Sequence, residues 1–105
     1  MTLIYVAGQV SVDMRGNTVG VGDIALQTRI ALDNIKGVLV GSGAGLKDVI
    51  KLNAYVTDMV DYRKKTREIR RGYFPQGFPA STLVEVKCLA SPDYMVEIDA
   101  VAAVD

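Results

Sequence analysis

The chain has 105 residues, 50% hydrophobic and 23% charged, the composition of one foldable globular domain and not of a disordered segment. Its twelve basic and twelve acidic residues cancel, so no global field draws it to nucleic acid or to an anionic membrane. There is no histidine and one cysteine, Cys88, which removes imidazole bases, catalytic triads, histidine metal sites, an intrachain disulfide and a thiolate metal cluster together.

In chain order, Leu3–Val10 reads as a short strand and Asp13–Asn17 (DMRGN) as a turn, with a second short strand expected before Asp23. Asp23 is a fitting N-cap for a helix running to about Val40. Its apolar stripe is Thr28, Ala31, Leu32, Ile35, Val38 and Leu39. Gly41, Gly43 and Gly45 end it. The GSGAG run has the composition of a phosphate loop, but it follows a helix instead of opening one, where glycine supplies a left-handed C-cap. Val49–Thr57 is the next strand, with Ile50, Leu52, Ala54 and Val56 on one face and Lys51, Asn53, Tyr55 and Thr57 on the other. Asp58 or Asp61 caps a second helix whose stripe is Tyr62, Thr66, Ile69 and Tyr73; Pro75 and Gly77 stop it. Two alternating runs close the chain, Phe78–Val86 and Val96–Val104, joined around Ser91-Pro92-Asp93.

The order β(β)-α-β-α-β-β gives an α/β (α+β) domain spanning residues 1–105, with two helices on one face of a mixed sheet of four to six strands. Nothing remains to cover the other face, expected to carry Tyr55, Glu85, Glu97 and Asp99. So short a chain buries only roughly 60–65% of its unfolded surface. A closed homo-oligomer with sites between subunits is the expectation. MTLIYVAGQ lacks the charged start and long apolar core of a secretory signal, and no apolar run is long enough to span a bilayer, so a cytoplasmic protein with no membrane partner is expected.

The second helix holds Arg63, Lys64, Lys65, Arg67, Arg70 and Arg71, half of all the basic residues. Without interleaved aromatics or net positive charge, a solvated face is expected and a nucleic-acid partner is not. Arg67, at the stripe edge, is placed to reach an anion across a subunit border. Cys88 alternates with Val84 and Val86 on the core side and reads as a small buried hydrophobe. Tyr5, Tyr55 and Tyr94 read as amphipathic packing groups. Glu97 is the best acid/base available to a protein without histidine; as a structural partner for a lysine or arginine it fits equally well.

LIYVAGQV, QTRIALDNIKGVLVGSGAGLKDVIKLNAYVTDM, YFPQGFPASTLVEV and VEIDAVAAV, in this order over residues 3–104, resemble the Rid/YjgF family of imine/enamine deaminases. The resemblance implies a chorismate-mutase-like fold, homotrimers with three small-molecule clefts between subunits, and hydrolysis of 2-imino or 2-aminoacrylate-type compounds to 2-oxo acids and ammonia with no metal or cofactor. It assigns Glu97 to orienting the attacking water. It places Ser81 where deaminating members carry the arginine that grips the substrate carboxylate, which suggests an arginine-lacking subgroup, and serine cannot replace a bidentate guanidinium. Ala7 stands for the serine of the family's SGQ motif, while Gly8 and Gln9 match. Thr82 and Leu83 follow the missing arginine, and Arg67 stands for an asparagine. A tyrosine on an N-terminal strand segment has no counterpart among these residues. The implied substrate is an imine or enamine other than the small 2-imino acids, unless Arg67 has taken over the anion contact. The alternatives are a ligand-binding or regulatory trimer without chemistry and, third, an RNA-acting protein.

Overall fold

A computed structural model describes all 105 residues. The elements are β1 (Thr2–Gln9), α1 (Ile24–Gly41), a 3-10 turn at Leu46–Asp48, β2 (Val49–Val56), α2 (Met59–Tyr73), β3 (Ala80–Glu85) and β4 (Val96–Val104). They form one mixed four-stranded sheet in the order β1-β4-β2-β3. β4 runs antiparallel to both of its neighbours, and β3 lies parallel to β2 through the α2 crossover. This is the expected α+β architecture. The second N-terminal strand is absent: residues 10–23 hold only a single bridge, Val12 to Thr18, around the turn in which Asp13 accepts from the backbone of Arg15 and Asn17.

Both helices start at the expected caps. Asp23 accepts from the Leu26 N–H, and Asp58 from the Asp61 N–H, so each satisfies an amide that the first turn leaves unpaired. After α1 the chain turns at Gly43, at φ +81°, while the Ala44 N–H returns to the Leu39 carbonyl; the glycine run is a C-cap.

The core lies between the helices and one face of the sheet. Ala31, Leu32, Ile35 and Leu39 of α1 are fully buried against Val96, Ile98, Ala100 and Ala102 of β4, and α2 adds Tyr62 and Ile69. Val38, expected in the α1 stripe, is 41% exposed. Thr28 and Thr66 are buried because each hydroxyl donates to its own i−4 carbonyl, at 2.8 and 2.6 Å. Gln27 is buried too, and its amide ties two loops together. Nε2 donates to Gly20 O and Asp93 O, and Oε1 accepts from the Met95 N–H. That anchor fixes the loop leading into β4.

Three further expectations fail for traceable reasons. Ile50 is 51% exposed and Val49 is buried instead, because the β2–β4 register shifts between Val49 and Lys51 and reverses the faces there. Glu85 is not on the uncovered face. It pairs in register with buried Val56, and its Oε1 accepts from the Met59 N–H at 2.9 Å, at the first turn of α2, where a carboxylate is favoured by the helix dipole. Cys88 is exposed, because β3 ends at Glu85 and its alternation does not continue to residue 88.

Candidate functional site

The face of the sheet without helices carries a polar cluster in an apolar frame. Alternation along β4 sends Val96, Ile98 and Ala100 into the core, which leaves Glu97, Asp99 and Val101 on the other side. The β2 register sets Tyr55 opposite Glu97 and Asn53 opposite Asp99. Asn53 Nδ2 donates to Asp99 Oδ1 at 2.8 Å, and the Tyr55 hydroxyl donates to Asp99 Oδ2 at 3.1 Å. The Tyr55 phenol is held above its ordinary range, first by that hydrogen bond to Asp99, then by the Asp99 charge, with burial and the Glu97 charge adding to it. Farther along the sheet, Lys51 Nζ donates to Thr82 Oγ1 at 2.6 Å.

Glu97 differs from Asp99. It is half-buried, its carboxylate makes no hydrogen bond within the chain, and neither of the two ion pairs, Lys65–Asp61 and Arg71–Glu68, involves it. The structural lysine or arginine partner considered from sequence is therefore absent within one chain. Against it lies the β1 bulge: the β1–β4 register shifts between Val6 and Gln9, so Ala7 and Gly8 stand opposite one β4 residue, Asp99. Gly8 touches the Glu97 side chain so closely that a Cβ there would overlap Oε2. Glu97 thus presents two free carboxylate oxygens at a half-open surface, next to a backbone segment stripped of side-chain bulk.

The sequence-assigned residues divide between the two faces. Ala7, Gly8, Glu97 and Thr82 lie on the uncovered face. Ser81 and Leu83 are in register with Leu52 and Ala54, on the helix-covered side, and line a crevice between α2 and β3. Arg67 is exposed on α2 and lines an open groove beside Arg63 and Arg70. Within one chain the sheet separates Arg67 from Glu97. The Asn53–Asp99–Tyr55 cluster was missed by sequence reasoning. Alternation put all three on one face, but only the strand register makes them neighbours. No group of three or more metal-binding side chains occurs in the structure.

The family model described as Endoribonuclease L-PSP matches residues 1–104. The chain belongs to the Rid/YjgF family. A RutC family protein of Pyrococcus horikoshii is 40% identical, covering 94% of this chain and 77% of that protein. The 3-aminoacrylate deaminase RutC of Acinetobacter baylyi is 38% identical, over 97% of this chain and 79% of the relative. The crystal structure of Rv2704 from Mycobacterium tuberculosis, a member of the YjgF/YER057c/UK114 family, superposes with a TM-score of 0.84 at 38% identity, covering 97% of this chain and 79% of that one. In this Rid/YjgF chain the fold is the one its motifs implied, and no helix is long and apolar enough to cross a membrane.

Proposed function

We propose that this Rid/YjgF protein is a homotrimeric hydrolase of C=N bonds that converts an imine or enamine to a carbonyl compound and ammonia. The observation that carries the reading is Glu97, a half-buried carboxylate with no partner in its own chain, on a sheet face that the chain leaves uncovered. The similarity to a relative named as a 3-aminoacrylate deaminase supports the reaction class.

Glu97 accepts a hydrogen bond from a water and orients its lone pair toward the imine carbon. Oxygen bonds to carbon, the C=N π electrons move to nitrogen, and Glu97 takes a water proton. That proton passes to nitrogen to give the carbinolamine, an enamine having first tautomerised to the imine; Glu97 then takes the hydroxyl proton and delivers it to nitrogen as the C–N bond breaks, so that C=O forms and ammonia leaves. The bulge at Ala7–Gly8 lets substrate approach the carboxylate without a side chain in the way. Asp99 is already engaged by Asn53 and Tyr55, which leaves Glu97 as the free acid of the pair. Ser81, Thr82 and Leu83 are assigned to substrate contact, with backbone N–H groups of edge strand β3 as donors. The cleft forms where a second subunit covers the bare face.

Glu97→Gln decides the matter. The amide keeps the shape and loses proton acceptance, so the variant should sediment as the wild-type protein does and release no ammonia from a panel of imines generated in situ. Equal turnover in the variant would make the acid structural. A wild-type protein that binds panel compounds yet releases no ammonia would be a ligand-binding trimer without chemistry.

A further inference from the structure

The groove along α2 is lined by five cations. Arg63, Lys64, Arg67, Arg70 and Arg71 line an open volume of about 690 Å³ with no acidic residue among them. Arg63, Lys64 and Arg67 enter neither ion pair, so their charges are not compensated locally. The apolar wall is Val60, 77% exposed, and Phe78, 42% exposed and stacked edge-on against Phe74. At its inner end the groove meets a second, smaller space of about 70 Å³ between α2 and β3, and Arg70 and Phe78 line both. Leu52, Ala54, Tyr62, Ser81, Thr82 and Leu83 complete its lining.

Arg70 is the groove cation held by the most contacts; Arg71 has only its 3.3 Å ion pair with Glu68. Arg70 Nε donates to Thr66 Oγ1 at 3.1 Å, its Nη2 to the Arg63 carbonyl at 3.4 Å, and its guanidinium lies 5.1 Å from the centre of the Tyr62 ring. Those contacts leave Nη1 without a partner. The Ser81 hydroxyl also makes no hydrogen bond within the chain. An immobilised guanidinium with a free N–H, a free hydroxyl and apolar lining residues are the components of a carboxylate site.

We propose that the crevice between α2 and β3 holds the carboxylate of a small organic acid, anchored by Arg70 and assisted by Ser81, with the rest of the acid lying along Phe78 and Val60. The crevice admits a head group and excludes a bulky one. The surrounding cations raise the local concentration of anions without being needed for the bond. Arg70, and not Arg67, is then the arginine that discriminates charged from uncharged ligands. The inference deepens the proposed function, because Ser81–Leu83 is the segment which that reading assigns to substrate. It fails separately, because its readout is binding and not turnover.

The test is an NMR titration of the assembled protein with butyrate, with butyramide, inorganic phosphate and a single-stranded RNA oligonucleotide as comparisons. Butyrate should shift the amides of Ser81–Leu83 and the Arg70 Nε resonance saturably, and butyramide should not. Arg70→Ala should weaken butyrate at least about ten-fold, the size expected for a charge-assisted hydrogen bond, while Arg67→Ala changes it less than about two-fold. If Arg70→Ala unfolds, Arg70→Gln, which keeps the stem and a donor for Thr66, replaces it with the same expectation. Equal weakening by the Arg67 and Arg70 variants overturns the proposal, as does equal binding of butyramide. Phosphate binding more tightly than butyrate, or RNA displacing it, overturns it too, leaving a general polyanion surface.

Discussion

Gly8 and Glu97 are in contact across the β1–β4 pair: a Cβ at Gly8 would overlap Glu97 Oε2 and stand 2.8 Å from Cδ and 3.0 Å from Cγ. Gly8 is not among the glycines with positive φ, so its requirement is space and not backbone conformation. Gly8→Ala should therefore leave folding nearly untouched, within about 1 kcal/mol, because the far end of Glu97 can swing into solvent. The swing moves the carboxylate from its place over the bulge, and any Glu97-dependent turnover should fall at least about ten-fold, or about 1.4 kcal/mol of transition-state stabilisation. Urea unfolding and ammonia release, measured on one preparation, separate the two effects. Full activity in Gly8→Ala would show that the contact does not position the acid.

The uncovered face carries an apolar frame around its polar cluster. Tyr5 is 75% exposed, Leu3 44% and Val84 38%, and Tyr5 sits in register with Val101. Such a frame on so small a chain is a surface to be covered. In the proposed homotrimer, Tyr5→Asp would place an unpaired charge under the covering subunit, so it should give a monomer in sedimentation while far-UV circular dichroism stays unchanged. A wild-type protein that is already monomeric at micromolar concentration contradicts the assembly itself.

Ionisation of the tyrosines provides a test of the packing by pH. Tyr73 is pushed up to about 12, chiefly by burial and then by its hydrogen bond to Asp33 at 2.7 Å. Tyr62 is raised by burial, partly offset by the Arg70 charge, and Tyr55 by its bond to Asp99. A phenol that holds its proton more tightly when folded stabilises the fold below the unfolded pKa, near 10, and loses that contribution as pH rises through the folded value. Stability should therefore decline between pH 10 and about 12, and Tyr73→Phe should flatten part of that decline. Absorbance of phenolate at alkaline pH should show Tyr73 titrating among the last of the five tyrosines. If Tyr73→Phe leaves the titration unchanged above pH 11, the Asp33 contact is not maintained in solution.

The bulge in β2 makes two apolar residues of one expected face unequal. Leu52 is 2% exposed and Ile50 51%. Leu52→Ala should cost about 2–5 kcal/mol by deleting packed methyl groups and leaving a cavity, whereas Ile50→Thr should cost less than about 0.5 kcal/mol. Denaturant midpoints compare them directly. A large loss at Ile50 would mean that a second subunit buries it.

The sequence alone determined both helices, the four strands of the sheet and the family, though it also suggested a short second N-terminal strand that does not form. Asp23 and Asp58 carry the side-chain oxygens that helix starts require, Gly43 the freedom that a left-handed turn requires, and Val96–Val104 an alternation with no competing period. These are local requirements, satisfied within a few residues, so they can be read along the chain. The acid at Glu97 was legible for the same reason, since alternation alone puts it opposite the core face.

What needed the tertiary structure was everything set by register. A shift of one residue between Val49 and Lys51 turned Ile50 outward, and the β2–β3 register put Glu85 over the start of α2. The end of β3 at Glu85 released Cys88 to solvent. Strand pairing also brought Asp99 to Asn53 and Tyr55, more than forty residues away in sequence, and helix packing put Arg70 rather than Arg67 in the lining of the crevice with Ser81. The period of a strand fixes which residues share a face. Which of them touch depends on how strands slide against one another, and that choice is made by the whole core at once.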